Sequence, residues 1–285
     1  MFGLSKRTLG FKLIFGGALL VIIPLVVVGL FAVNKTSRAL IGQYQNQSVQ
    51  MAKNLADMTE STLISDMTLA KQLAVGNLVV RSASRVSQAG ELMSADVIDR
   101  ANSYLAMSIQ QIGENYETIL VTDQKGIVFA DAHEGAYHGR SFGELASFKA
   151  ALKGSIAISD PYLSETAGEP VAPVIAPIMD SKGKIAGTLV LMMKMAPIAK
   201  KFHSVEIGKT GYPFLVNKDG GILVHPVDKH VLNLNIANVI GMESIAKNMV
   251  AGKSGIEEYE FEGLNKIAGY SPVALTGWSV GISQE

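Results

Sequence analysis

Apolar positions change their rhythm several times along the chain, and each change marks an element. The first run, Leu13–Val33, is apolar throughout and carries no charge. A helix over it, at about 1.5 Å per residue, reaches roughly 30 Å, the thickness of a bilayer's hydrocarbon core. This predicts one N-terminal transmembrane span, with Pro24 tolerated inside it. A cleaved signal peptide is the rival reading, but the run exceeds an ordinary h-region and no clear small-x-small site follows it. Lys6, Arg7 and Lys12 precede the span, against Lys35 and Arg38 behind it. Residues 1–33 are therefore expected to form a cytoplasmic N-terminus and an anchor in the cell membrane, with all later residues on the far side.

From about Asn34 to Val80 the apolar residues recur at helical spacing: Ile41, Tyr44, Met51, Leu55 and Met58, then Leu63, Met67, Ala70, Ala74 and Leu78. The stripe predicts a long stalk helix. It fits a helix packed on the domain it precedes, and equally one that also forms a homodimer seam, because so short a heptad pattern does not set oligomer state. The Ser-rich stretch Arg81–Gly90 reads as a turn, and a second helix is expected over Glu91–Ile112. Residues 34–115 are thus stalk and second helix.

Beyond them the period shortens to that of strands, and the chain repeats itself. Ile119-Leu-Val-Thr-Asp-Gln-Lys-Gly-Ile-Val-Phe129 aligns without gaps to Phe214-Leu-Val-Asn-Lys-Asp-Gly-Gly-Ile-Leu-Val224. Each half is an apolar strand, a polar turn ending in Gly126 or Gly221, and a second strand, the signature of a β-hairpin. Phe148–Gly154 echoes Ile245–Gly252 as a short helix closed by glycine. Ala176-Pro177-Ile178 echoes Ser271-Pro272-Val273, each leading to a final strand, with hairpins at Asp180–Gly183 and Leu275–Gly277. The pattern predicts an α+β protein with two modules, residues 116–198 and 199–285, each a mainly antiparallel sheet of order strand-strand-helix-strand-strand-strand.

Composition narrows the function. With 25 basic and 25 acidic side chains and a net charge of zero, nothing in bulk electrostatics favours nucleic acid as a partner. The absence of cysteine excludes disulfides, thiol nucleophiles and Cys-ligated metals. The five histidines form no i, i+4 pair, so no HExxH-type metal site is written in the chain, and no Gly-x-Ser-x-Gly elbow occurs. A nucleophile beside a base is not found. The expectation is a non-enzyme without cofactor, and a membrane-tethered enzyme is a distant alternative.

A long stalk followed by two PAS-like modules resembles the double Cache domain, the extracytoplasmic sensor of bacterial methyl-accepting chemotaxis proteins. Ile207-Gly-Lys-Thr-Gly-Tyr-Pro-Phe-Leu-Val-Asn-Lys-Asp-Gly-Gly-Ile-Leu-Val-His-Pro226 is similar to the start of that family's membrane-proximal module, and Trp278-Ser-Val-Gly-Ile282 to its closing strand. The resemblance covers about Asn34 to Glu285. It implies a receptor whose membrane-distal module holds a small-molecule ligand, and a second membrane helix, a HAMP linker and a signalling coiled coil after Glu285. The chain then reads as a sensor fragment that meets cytoplasmic signalling partners only through that output half. A histidine kinase or nucleotide cyclase output is the alternative.

Amino-acid-binding members of that family carry an Arg and a Trp-Tyr pair ahead of the short helix, an acid near the third strand and an Asp in the last. Here Leu145, Ser147, Phe148, Ser164 and Met192 occupy those positions, while Tyr162 keeps the third-strand aromatic. The guanidinium clamp for a carboxylate is missing. The candidate ligand-binding residues left are Asp131, Tyr137, Arg140, Phe148, Lys149, Asp160, Tyr162 and Ser164. Phe148 and Tyr162 supply an apolar wall, Arg140 or Lys149 a partner for a carboxylate, and Asp131 or Asp160 a partner for an amine. His225-Pro226 is expected to stabilise a bend, and Trp278 to lie in the core.

Overall fold

The computed structural model describes residues 9–285, with the side chains of residues 9–44 described only in part. Lys6 and Arg7, which set the expected orientation, lie outside the described residues, as do several side chains of the expected span Leu13–Val33. Among the described residues no helix is long and apolar enough to cross a membrane. The chain divides into two units, the first ending at Gln47 and the second running over Ser48–Glu285. Helix α1 (Leu9–Ala74) contributes to both. In the first unit, the described apolar side chains between Leu20 and Val28 are all exposed.

The second unit is built on α1 from Ser48 onward. Helices α2 (Asn77–Ala89) and α3 (Ala95–Ile112) follow it. The Ser-rich stretch expected as a turn is therefore helical. Val79, Ser82 and Ala83 are buried at helical spacing, and Ser82 Oγ donates to the Val79 carbonyl 2.9 Å away, so the hydroxyl is satisfied without leaving the helix. The small side chains let α2 lie close on the sheet: the methyl of Ala83 is 3.7 Å from where a Cβ on Gly187 would stand.

The distal sheet comprises β1 (Tyr116–Thr122), β2 (Val128–Asp131), β3 (Ala157–Ile158), β4 (Tyr162–Leu163), β5 (Pro170–Met179) and β6 (Ile185–Lys194). Its order is β2-β1-β6-β5-β3, with β4 also paired to β5, and helix α4 (Ala146–Ala151) crosses between β2 and β3. Helix α5 (Ala196–His203) leads to the proximal sheet: β7 (Tyr212–Val216), β8 (Ile222–Val224), helix α6 (Glu243–Val250), β9 (Gly255–Phe261), β10 (Leu264–Val273) and β11 (Trp278–Gln284). Its order, β8-β7-β11-β10-β9, repeats that of the first, and all pairings are antiparallel. The expected order of elements holds in the proximal module. The distal one differs because Pro170, Pro173 and Pro177 deprive β5 of amide donors. A strand so interrupted supports only the two-residue pieces β3 and β4 along its other edge.

The repeat itself is shifted by one residue. Asp123 Oδ1 accepts the amides of Lys125 and Ile127 at 2.9 and 2.8 Å, while Asn217 Oδ1 accepts those of Asp219 and Gly221 at 3.1 and 2.7 Å. Asp123 is thus the counterpart of Asn217, and Gly126 (φ +87°) that of Gly220 (φ +88°) rather than Gly221. Both turns need a left-handed residue at that point, which glycine adopts without steric cost.

Three cores hold the second unit. Ala52, Ala56, Leu63 and Ala70 of α1 join one cluster with Ile119, Val121, Leu189 and Leu191 of the distal sheet and Leu215, Val280 and Ile282 of the proximal sheet. Each sheet buries its opposite face separately. Leu120, Val190 and Met192 pack with Phe148 of α4, and Phe214 and Tyr270 pack with Ile245 and Met249 of α6. The helix α1 is therefore in contact with both modules through a single apolar cluster.

Candidate functional site

The polar groups that converge in the distal module do so around a residue not among the sequence candidates, Glu117. Pairing of β1 with β6 slips between Tyr116↔Met193 and Thr118↔Met192, leaving Glu117 as the extra residue of a β-bulge. A bulge re-aims a side chain, and here adjacent residues serve opposite faces. Tyr116 Oη donates to Asp66 Oδ1 of α1 at 2.6 Å. Glu117 turns to the other side, where Tyr137 Oη and Ser164 Oγ donate to its Oε1 at 2.7 and 2.6 Å. Its Oε2 is buried and has no hydrogen-bond partner among the described residues. A buried carboxylate oxygen left unpaired is costly, so this atom is the one in the module most in need of a donor. Glu117, the one charged residue of the strand Tyr116–Thr122, was the available signal.

Around Glu117 the structure brings together four of the candidates. Tyr137 is buried, and burial together with its bond to Glu117 pushes its hydroxyl up to about 12, so it remains a donor. Ser164 is also buried and accepts the amides of Thr166 and Ala167 at 3.2 and 3.1 Å, closing the turn after β4. Arg140 is exposed; its Nη2 donates to Thr166 Oγ1 at 3.0 Å and its guanidinium carbon lies 4.7 Å from the centre of the Tyr137 ring. Tyr162 is raised above the usual phenol range, first by burial and then by the Glu117 charge, while 40% of its surface stays exposed. The arrangement offers an acceptor at Glu117, a cation at Arg140 and two phenol rings between them.

The other four candidates are placed elsewhere. Asp131 is fully buried, and its carboxylate accepts the amides of His133, Gly135 and Tyr137 at 2.7, 3.0 and 3.0 Å, which folds the loop that presents Tyr137. Phe148 lies in the core under α4. Lys149 is exposed and pairs with Glu144 at 3.0 Å in solvent, where such a pair adds little. Asp160 accepts from Trp278 Nε1 at 2.7 Å and from Asn217 Nδ2 at 3.4 Å, both in the proximal module. Trp278 is accordingly buried, as expected for a core residue, and its indole N–H is bonded to Asp160.

In the proximal module His225 stands where Asp131 stands in the distal one, one strand after the shared turn. Its Nδ1 accepts the Val227 amide at 3.0 Å, securing the bend at Pro226. Its ring packs edge-on against Tyr212 and His230, at 5.1 and 4.9 Å between centres, with Phe261 beyond. Burial, and next the His230 charge beside it, lowers His225 to about 4; Glu262 pulls the other way and Lys266 adds to the lowering. A depressed histidine binds fewer protons folded than unfolded. Its contribution is complete above the unfolded value near 6.5 and is lost as pH falls toward about 4. Thermal unfolding between pH 7 and pH 4.5 should therefore show a smaller loss of midpoint in His225→Asn, whose amide oxygen replaces the acceptor, than in the wild type. Equal losses would remove His225 as the cause.

Comparison with known proteins gives one consistent kinship. The family model of the Cache domain matches residues 33–285. Methyl-accepting chemotaxis protein McpA of Bacillus subtilis is 21% identical over 280 residues, 98% of this chain and 39% of its own length. The chain thus spans less than half the length of that relative. Among solved structures, the ligand binding domain of the Pseudomonas aeruginosa amino acid chemoreceptor PctB in complex with L-Arg superimposes with a TM-score of 0.60 at 21% identity, covering 85% of this chain and 94% of that one. The sensor domain of the Vibrio cholerae histidine kinase DctB gives 0.65 at 14% identity, covering 87% and 98%. At these identities the likeness is one of fold.

Proposed function

The chain belongs to the Cache-domain family, and on that premise we propose that it is the ligand-sensing region of a membrane-anchored methyl-accepting chemotaxis receptor that takes an ammonium-bearing small molecule at Glu117. The observation that carries the ligand class is the unpaired, buried Oε2 of Glu117. An ammonium supplies the missing donors and forms a charge-assisted pair in a poorly hydrated place. Arg140, exposed on the same cluster, is positioned for an anionic end if the ligand has one, as the L-Arg of the PctB complex does. Glu117 stands in for the acid that the resemblance expected at Ser164, and Ser164 itself is bonded to it.

The route outward from the site is short. Glu117 shares its bulge with Tyr116, whose hydroxyl holds Asp66 of α1. Asp66 is buried, and that burial raises it above the usual carboxylate range despite the Tyr116 bond. A ligand that binds one geometry of the bulge better than another thereby biases α1, by no more than its difference in affinity for the two. Leu13–Val33 serves as the anchor, supported by the exposed apolar side chains between Leu20 and Val28. A second copy of the chain packs along α1, and the chain acts without chemistry of its own. The likeness to the DctB sensor supports a second reading, the same sensor on a histidine kinase output.

The test is a thermal-shift screen of the detergent-solubilised chain with amino acids, diamines and dicarboxylates. A ligand at about a hundred times its Kd adds about 2.7 kcal/mol. The hits should carry an ammonium group, and Glu117→Gln should weaken them by about 10- to 100-fold, the value of a hydrogen bond to a charged group. Hits confined to dicarboxylates, or unaffected by Glu117→Gln, would overturn the assignment.

A further inference from the structure

A cleft of about 820 Å³ lies between the distal and proximal modules, and Tyr162, part of the Glu117 cluster, also lines it. It is lined by Leu163 of β4 and Glu169 just before β5, by Ala199 of α5, and by Leu223, Asp228 and Leu232 from β8 and the segment after it. Its volume falls within the range of small-molecule sites. The lining is mainly apolar and includes no lysine or arginine. Glu169 is already paired with Lys194 at 2.9 Å, whereas the exposed Asp228 has no ion-pair partner among the described residues. Two histidines also line it: His225, lowered to about 4 and so uncharged near neutral pH, and His203, whose Nε2 lies 3.4 Å from the His225 carbonyl oxygen.

Asn217 lines the cleft and donates to Asp160, which also accepts from Trp278 Nε1. Trp278 is the one tryptophan in the chain. The cleft therefore adjoins the hydrogen bonds that tie the distal module to the proximal one, and Asn217 and Asp160 connect it to a fluorescent reporter.

We propose that this cleft is a second ligand site, meeting the Glu117 cluster only at Tyr162 among the residues named there, for a hydrophobic monocation of the arylalkylamine class, with the ammonium at Asp228 and the ring against Leu163, Leu223 and Leu232. The charge selects a cation, and the apolar wall selects a ligand with a ring or chain rather than a small polar amine. Occupancy wedges the two modules at the Asp160 tie, so the site acts on the relation between modules rather than on the bulge.

The probe is 2-phenylethylamine, titrated into the detergent-solubilised chain by calorimetry and by Trp278 emission excited at long wavelength, with phenylacetate as the charge-inverted control. Saturable binding with a change in Trp278 emission is expected for the amine and not for the acid. Asp228→Asn and Leu163→Arg, both at exposed positions, should each weaken the binding that Trp278 reports at least fivefold, and should do so equally in a Glu117→Gln background, where the distal cluster has lost its carboxylate. Absent saturation, or equal binding of phenylacetate, would overturn the proposal. So would binding lost in Glu117→Gln and intact in Asp228→Asn and Leu163→Arg; that result would place the amine at the distal cluster and leave the sensing role standing.

Discussion

Replacing Gly269 by valine is expected to leave no folded second unit, and even Gly269→Ala should cost about 3 kcal/mol or more. Gly269 sits in β10, paired on one side with Ile282 of β11 and on the other with Ile256 of β9. A Cβ there would stand 2.5 Å from the carbonyl carbon of Ser48 and 2.5 Å from the amide nitrogen of Val49, and 2.8 Å from the Ser48 side chain. The obstacle is backbone, which has no rotamer to turn aside. On the other flank the strand is fixed by ladders to two neighbours. One methyl must therefore lift α1 from the proximal sheet or buckle β10, and overpacking of this kind lies at or beyond the upper end of the usual 1–3 kcal/mol. Val and its two further methyls extend the clash along the helix. Chemical denaturation of the alanine variant is the measurement. A loss below about 1 kcal/mol would mean that α1 does not approach the sheet this closely. Because α1 meets both sheets in one core, loosening it at Gly269 should also weaken any ligand response carried through Asp66.

That contact illustrates where the sequence stops speaking. The two hairpins, the short helices and the paired final strands were legible because each is a local matter of alternation and turn chemistry. Gly126 and its counterpart belong to a turn whose Asp or Asn bonds its own following amides. Gly269 reads as one more glycine in a strand, since the helix that demands it is more than two hundred residues earlier. The Ser-rich helix α2 was hidden for a related reason. Serine favours turns in isolation, and only the sheet beneath Val79 and Ala83 makes a close-packed helix of small residues worthwhile. The one-residue shift of the repeat came from matching apolar residues rather than the amide-capping Asp123 and Asn217.

Of the candidate ligand-binding residues, half fall into one cluster. Tyr137, Arg140, Tyr162 and Ser164 were candidates because polar and aromatic groups in a loop near a sheet mouth suggest a pocket, and the fold gathers them. The group they gather around, Glu117, was missed because an alternation rule assigns each strand residue to a face, and a bulge breaks that rule at Glu117. Asp131 and Asp160 were candidates as free carboxylates. One is spent on three amides of its own loop and the other on the opposite module, neither of which is visible from residue type alone.

Asp160 and Trp278 form the second large expectation. Trp278 is buried to 1% exposure, its ring packed in the shared core and its Nε1 donating to Asp160 Oδ1 at 2.7 Å. Trp278→Ala removes the ring and leaves a cavity, and should cost about 3–5 kcal/mol. Asp160→Ala removes the acceptor alone, stranding a buried N–H, and should cost about 1–3 kcal/mol. Trp278→Phe keeps most of the packing while removing the donor, so the double variant Asp160→Ala/Trp278→Phe isolates the bond. The two losses should fall short of additivity by about 0.5–3 kcal/mol, the range for residues in direct contact. Strict additivity would show that each side chain acts through packing alone. Since the bond joins β3–β4 of one module to β11 of the other, its loss should do more than lower stability: binding in the distal module should persist while its effect on Trp278-side residues, read by amide exchange along β11, declines. Uniform loss of protection across both sheets would instead make the bond a stability element with no part in coupling the modules.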